Sequence, residues 1–286
     1  MDYFHDKVAA VTGAASGMGR SLALELARRG CHLALSDIDE QGLLETAGLA
    51  RAAAAKATVK VTTARVNTAV REEVYAWADQ VAQEHGKVNL IFNNAGVALS
   101  AQMESVKAED FHWIMGINFW GVVWGSQAFL PHLKASGAGH VVNTSSLFGL
   151  LAVPGNGAYN ASKFAVRGYT EALRMELELS GAPVSATCVH PGGVRTSIAR
   201  SARIDPQVGF MNGMTPEEAI KRFDKMLDIT SAENAACQIL CAVEKNRRRA
   251  LVGIDAWLLD KLVRLLGAGY QPLVIFLARR LLRQKR

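Results

Sequence analysis

The feature that most constrains this chain is an alternation. From Lys7 onward, apolar runs of strand length take turns with longer segments of helical period. KVAAVTG, CHLALSD, KVTTARV, VNLIFNNAG, GHVVNTSS and PVSATCVHP read as strands. Helices are expected at about 17–29, in an Ala- and Leu-rich segment that runs on into RAAAAKA at 51–57, at 70–85, around 107–134 and at about 157–179. Strands that are apolar almost throughout and separated by helices imply βαβ units and a parallel sheet covered on both faces. The expected fold is therefore α/β, a doubly wound parallel sheet of Rossmann type. Half of the 286 residues are apolar, enough for one full core. The expected division is a dinucleotide-binding and catalytic domain over 1–255 and an amphipathic, basic helical extension over 256–286. The segment 197–215 breaks the alternation with Pro206, Gly209 and Gly213 and reads as an irregular lid over a binding site.

Several classes of function drop out early. Cys31, Cys188, Cys237 and Cys241 lie in apolar surroundings without CxxC spacing, so they read as buried thiols, and no His/Cys pattern suggests a metal. The opening MDYFHDKVAAVTG has no basic stretch ahead of an apolar one, which points away from a secretory signal and toward the cytoplasm. The net charge of +6 is concentrated in KNRRR at 245–249 and in the tail, a pattern that suggests a surface partner. Nucleic acid is not among the expected partners.

The first strand runs into TGAASGMG, which puts Gly13, Gly17 and Gly19, with Ser16 and Met18 between them, where a strand turns into a helix. Glycines there permit a tight turn and close backbone approach to a phosphate, and the helix start offers free N–H groups. Eighteen residues beyond Gly19, at the end of the second strand, Asp37 stands where a carboxylate holds the adenosine ribose and repels a 2′-phosphate. The cofactor expected is NAD rather than NADP, although Asp37 could instead cap the next helix, as Asp39 could. Further on, YNASK sets Tyr159 and Lys163 four residues apart, on one face of a helix. Alone, that spacing is weak evidence for chemistry.

Six motifs in order change its weight: TGAASGMG at 12–19, NNAG at 93–96, Asn118 in GINFWG, NTSS at 143–146, YNASK at 159–163 and PGGVRT at 191–196. Over about residues 5–253 the chain resembles the short-chain dehydrogenase/reductase family. That resemblance implies a seven-stranded Rossmann sheet, with Tyr159 as acid/base, Lys163 as its partner and nicotinamide-ribose ligand, and Asn118 as fourth member of a tetrad. Ser146, thirteen residues before Tyr159, becomes the substrate anchor in preference to Ser145. It also implies cofactor contacts from Asn94, Ala95, Gly96, Pro191, Gly192, Val194 and Thr196. A free tyrosine holds its proton up to a pKa near 10, so Lys163, helped by the charge on an oxidised nicotinamide, is expected to lower it toward the working range. One departure stands out: Arg65 occupies the place of the aspartate that often contacts adenine in the family. Adenine recognition then falls to the backbone at Val66 or to Asn67, and Arg65 leaves room for NADP.

The residues expected to line the substrate pocket are Ser146, Phe148, Val153, Gly193, Ile198 and Met211, with Ala98 and Leu99 after NNAG. Of the arginines, only Arg195 or Arg200 stands where it could hold an anionic substrate. A mostly apolar lining suits a lipophilic secondary alcohol or its ketone, of steroid, retinoid, terpene or long-chain type. The function expected is hydride transfer between NAD(H) and such a substrate, against the alternatives of an NADPH-dependent biosynthetic ketoreductase and a dinucleotide-sensing regulatory protein. In the tail the longest uncharged run, 265–278, falls short of the ~20 apolar residues of a membrane span. Its helical pattern suits either peripheral membrane contact or a subunit surface, and a homodimer or homotetramer in which the tail adds contacts is expected.

Overall fold

The computed structural model describes residues 2–196, 198, 202–205 and 228–283. Its sheet is built from β1 (Val8–Thr12), β2 (His32–Asp37), β3 (Val61–Arg65), β4 (Leu90–Asn93), β6 (Gly139–Thr144), β7 (Val184–Pro191) and β9 (Arg249–Val252). These seven strands lie in the order β3-β2-β1-β4-β6-β7-β9, and every pairing is parallel. The order reverses between β1 and β4, so a crevice opens beyond their carboxyl ends, where open α/β sheets bind ligands.

Helices cover both faces, which is why the central strands carry no alternation. On one side α1 (Gly17–Arg28), α2 (Glu40–Ala53) and α7 (Ala232–Glu244) bury Leu22, Leu26, Leu43 and Ile239 against Val11, Leu33 and Phe92. On the other, α3 (Arg71–His85), α5 (Gly121–Ala135) and α6 (Gly157–Leu179) do the same, with Trp77 and Phe129 in an edge-to-face pair at 5.0 Å. Each such large side chain contributes about 1.5–3 kcal/mol through burial.

Four local expectations need correcting. The helix through RAAAAKA stops at Ala53, because Ala55 N–H leaves the helix to bond the Ala27 carbonyl at the end of α1 (3.1 Å). Cys31 and Cys188 are buried, but Cys237 is exposed and Cys241 only partly covered, since both lie on the outer side of α7. The region read as wholly irregular contains β8 (Arg203–Ile204), which pairs with β5 (Leu99–Ser100) as a small second sheet and is tied by Arg203 to Asp110 (2.6 Å). KNRRR is not a free basic patch: Arg248 pairs with Glu178, and Arg249 enters the edge strand and pairs with Glu171 and Asp260.

The tail consists of α8 (Ile254–Leu266), a short 3₁₀ turn (Gly267–Gly269) and α9 (Tyr270–Arg283). Within Ile254–Arg280, 27 residues, an 18-residue window reaches a mean hydropathy of 1.3, long and apolar enough to cross a membrane by length and composition, where the uncharged stretch alone is not; Gly267, at φ 52° and ψ −129°, breaks the helical path between α8 and α9.

Candidate active site

The glycine-rich turn is built for close approach. Gly13 and Gly17 have φ of 66° and 54°, values that a side chain resists. A Cβ on Gly17 would sit 3.1 Å from Thr196 Cβ, so the turn and the PGGVRT segment share a wall. The first turn of α1 contains no acidic residue, and the Ser16 side chain makes no capping bond to it, which leaves a positive helix end facing the crevice. Met18, by contrast, packs its side chain against the core.

Asp37 and Asp39 divide the two roles that the sequence left open. Asp39 is the N-cap of α2, accepting from Gly42 N–H at 3.1 Å. The Asp37 carboxylate accepts from Ala15 N–H in the glycine-rich turn at 2.9 Å and from Asp39 N–H at 3.1 Å, so it is oriented over the crevice. Arg65 lies directly across from Asp37 in the β2–β3 register, yet its guanidinium is exposed and 3.9 Å from Glu40. Val66 N–H bonds the Asp37 carbonyl (3.0 Å), and Asn67 N–H is taken by Glu73 (2.7 Å).

At the end of β4, Thr12 Oγ1 accepts from both Asn94 N–H and Ala95 N–H (3.0 Å each), while Asn94 Nδ2 donates to the Thr12 and Gly13 carbonyls (3.0 and 3.3 Å). Asn94 Oδ1 is buried without a partner among the described residues. This cradle fits a dinucleotide: it offers free donors at a helix start, an oriented carboxylate and close backbone. Gly96 comes next, and a Cβ there would lie 3.2 Å from Asn118 Oδ1 and 3.4 Å from Lys163 Nζ.

Asn118 is fully buried in a π turn, Gly116–Trp120, between α4 (Ala108–Met115) and α5. The wider turn aims its amide inward, where Oδ1 accepts from Val97 N–H (2.8 Å) and Nδ2 donates to the Val97 carbonyl (3.0 Å) and Ser162 Oγ (3.2 Å). The two serines after β6 part company. Ser145 Oγ turns into α6 and donates to the Lys163 carbonyl (2.7 Å), while Ser146 Oγ accepts from Phe148 N–H (3.1 Å) and stays on the Tyr159 side, where it lowers the phenol. Lys163 is 3% exposed; its Nζ donates to the Thr144 carbonyl at 3.1 Å and lies 5.7 Å from the Tyr159 ring centre. Burial lowers the Lys163 ammonium to about 8. In the chain without dinucleotide, burial also raises the Tyr159 phenol, opposed by Ser146, and the Lys163 hydrogen bond goes to Thr144; the expected lowering calls for an oxidised nicotinamide as well.

The short chain dehydrogenase family model matches residues 7–207. The chain belongs to that family. The chain is 47% identical over 274 residues to SadH of Mycobacterium tuberculosis, a protein named as an oxidoreductase, and the match spans 96% of each chain. It is 33% identical over 219 residues to estradiol 17-beta-dehydrogenase 11 of Macaca fascicularis, over 76% of this chain and 70% of that one. Among solved structures it resembles a short chain dehydrogenase/reductase from Burkholderia phymatum in complex with NAD, with a TM-score of 0.82 and 31% identity, over 94% of this chain and 96% of that one.

The remaining expected residues fall around the same crevice or outside the described residues. Pro191 ends β7, Gly192 N–H bonds the Val252 carbonyl (2.9 Å), and Val194 bridges to Thr230. Phe148 and Val153 pack with Leu147, Leu150 and Leu151 beside Ser146. Ile198 N–H reaches Thr196 Oγ1 at 3.5 Å. Met211 and Arg200 lie outside the described residues, and Arg195 is engaged by Asp228 at 2.6 Å. Leu99 packs with Ile114 and Ala158 and belongs to the core, as does Ala98, 7% exposed.

Three contributors carried no sequence signal. His190 Nδ1–H donates to the Ser146 carbonyl at 2.9 Å, and its burial pulls the imidazole down to about 4, so it is neutral. Asp255 Oδ2 accepts from Gly193 N–H at 2.7 Å. From the tail, Leu259, Val263 and Tyr270 close onto Phe148 and Val153, and Tyr270 Oη accepts from Ala152 N–H at 2.9 Å. The latter contacts join residues 62 and 118 apart in the chain, beyond the reach of local pattern.

Proposed function

We propose that this chain interconverts lipophilic secondary alcohols and ketones with NAD(H), using Ser146, Tyr159, Lys163 and Asn118. The observation that carries the reading is the placing of Tyr159 at the carboxyl end of the sheet, with Lys163 Nζ 5.7 Å from its ring centre and Phe148, two residues after Ser146, edge-on to it at 6.1 Å, in a mostly apolar wall next to the Asn94–Gly96 cradle. Bound NAD supplies the hydride acceptor and a positively charged ring. Ser146 fixes the substrate oxygen against the Tyr159 phenol, which takes the hydroxyl proton during oxidation and returns it during reduction. Lys163, buried beside Tyr159, would hold the nicotinamide ribose and favour the phenolate when dinucleotide is bound. Asn118 keeps strand β4 and helix α6 in register by holding Val97 and Ser162 together, and His190 fixes the Ser146 backbone.

Asp37 supports NAD over NADP, because its carboxylate is already oriented by Ala15 and repels a 2′-phosphate. Arg65, directly opposite Asp37, favours the second reading, an NADPH ketoreductase. The apolar wall and the estradiol dehydrogenase relative support a steroid-, retinoid-, terpene- or long-chain-type substrate. Exposed Trp120, Phe164 and Met175 on the π turn and α6 support a homodimer or homotetramer built on those helices. Residues 1–255 form the catalytic unit, and 256–286 are an extension with a job of their own.

The test is a panel of secondary alcohols of rising size, followed by NADH absorbance with each cofactor. NAD should exceed NADP by at least about 10-fold in kcat/KM, and Tyr159→Phe should cut turnover by ~10²-fold or more with dinucleotide binding nearly intact. Turnover that survives Tyr159→Phe removes the assigned mechanism. An inactive protein that still binds dinucleotide would point to a sensor.

A further inference from the structure

We propose that the tail is an interfacial membrane anchor, which seats the molecule on an anionic lipid surface through α9 and the outer side of α8. The first observation is how the apolar residues are distributed. A helix that packs on another subunit presents one stripe, but Leu273, Ile275, Phe276 and Leu277 are all 39–60% exposed. At 100° per residue these four side chains wrap more than half the circumference of α9. Among the described side chains of α9, Tyr270, Val274 and Ala278, one turn apart on the inner side, are the ones partly covered. On α8 the row continues outward with Ile254, Trp257, Leu258 and Leu265, each at least 44% exposed.

The second observation is charge. Residues 254–286 contain seven basic side chains and two acidic ones. Both carboxylates are turned into the molecule: Asp255 holds Gly193, and Asp260, 7% exposed, is shared by Arg249 and Arg264. Lys261, Arg264, Arg279 and Arg280 are exposed, and Arg283, Lys285 and Arg286 extend the basic run in the sequence. The other basic cluster of the chain, KNRRR, has Arg248 and Arg249 engaged by internal acids. An outer surface that is apolar and cationic matches the interior and the headgroups of an anionic leaflet.

The third observation decides between lying on the bilayer and crossing it. α8 is fastened to the catalytic unit by Ala256, Asp260, Leu259 and Val263, so it cannot leave for the hydrocarbon. That leaves the 14 residues of α9. At 1.5 Å per residue they reach about 21 Å, short of a core about 30 Å thick. The same helices close the Phe148–Val153 wall from the inner side, so docking would bring that wall to the membrane surface.

The experiment is flotation of the full chain with phosphatidylcholine vesicles containing about one third phosphatidylglycerol, against phosphatidylcholine alone, between about 0.05 and 0.5 M salt. The protein should float with the anionic vesicles and lose binding as salt rises. Arg279→Gln with Arg280→Gln should lower the partition by about 25-fold, at roughly 5-fold per charge. Ile275→Glu with Phe276→Glu, at exposed positions the fold does not need, should abolish it. Flotation that ignores both pairs of changes would overturn the proposal. So would a chain that stays off vesicles, whether it is an oligomer that Ile275→Glu with Phe276→Glu dissociates, which would give the face to a second copy, or one unchanged in size. Flotation reads no turnover, so its outcome is separate from that of the alcohol reading.

Discussion

Replacing Lys163 with Met should make the protein more stable at pH 7 while removing its activity. The ammonium is buried, and its fall from the ordinary lysine value of 10.5 to about 8 corresponds to roughly 3 kcal/mol of unfavourable desolvation, at about 1.4 kcal/mol per pH unit. Met keeps the length and the apolar stem. What is lost is the bond to the Thr144 carbonyl, worth about 1 kcal/mol, so the net gain is about 2 kcal/mol, or roughly 3–6 °C in Tm. The pH dependence is the stricter check. Between about 8 and 10.5 the unfolded chain still holds the lysine proton while the folded chain has released it, so raising the pH through that window stabilises the native enzyme. The advantage of the variant is therefore full below pH 8, shrinks above it and has passed through zero by about pH 10.5, where only the lost hydrogen bond separates the two proteins. Burial raises the Cys31 and Cys188 thiols and acts with the opposite sign on stability at high pH, but both proteins carry them and the difference cancels. Thermal unfolding of both proteins without dinucleotide, at pH 7 and near pH 10, reads the two gaps. A variant less stable than the parent at pH 7, or a gap that does not narrow, would refute the reasoning.

Other outcomes follow from single contacts. Asp37→Ala should narrow the NAD-to-NADP preference by about 10-fold in kcat/KM, mainly through better NADP binding. Gly19→Ala would drive a methyl into the Gly13 carbonyl and to 2.8 Å from Asn94 Nδ2, so dinucleotide Kd from fluorescence titration should rise at least about 10-fold while the circular dichroism stays native. Asn118→Ala strands the N–H and carbonyl of Val97 and should cost about 2 kcal/mol or more in denaturant unfolding, with a loss of turnover. Tyr270→Phe removes the acceptor of Ala152 N–H and should raise KM for bulky alcohols while leaving the smallest ones unchanged.

The sheet was legible because both of its faces are buried: VAAVT in β1 and GHVVNT in β6 are covered at every position, so a run without polar alternation is itself the signal. The seventh strand was not legible from its own residues. RALV opens on the third of three consecutive arginines, and the acids that neutralise Arg248 and Arg249 lie on α6, 70 and 78 residues away, and on α8, which comes later in the chain. The turn, Asp37 and the Tyr159/Lys163 pair could be read because each depends on spacing within one element or across one turn. The Asp255 bond to Gly193 and the tail wall could not, because they depend on where β9 sets down the chain that follows it.

That placement of β9 also bears on how the molecule comes into being. β7 is complete at Pro191, but its outer hydrogen-bonding edge is filled only when Arg249–Val252 are made, more than fifty residues later. On the ribosome, at about 5–20 residues per second, the nascent chain therefore shows an open, apolar strand edge for several seconds. A destabilised α7, which covers β9 from one face, would lengthen that interval, so its damage should appear as aggregation during synthesis before it appears as lower activity in the protein that survives.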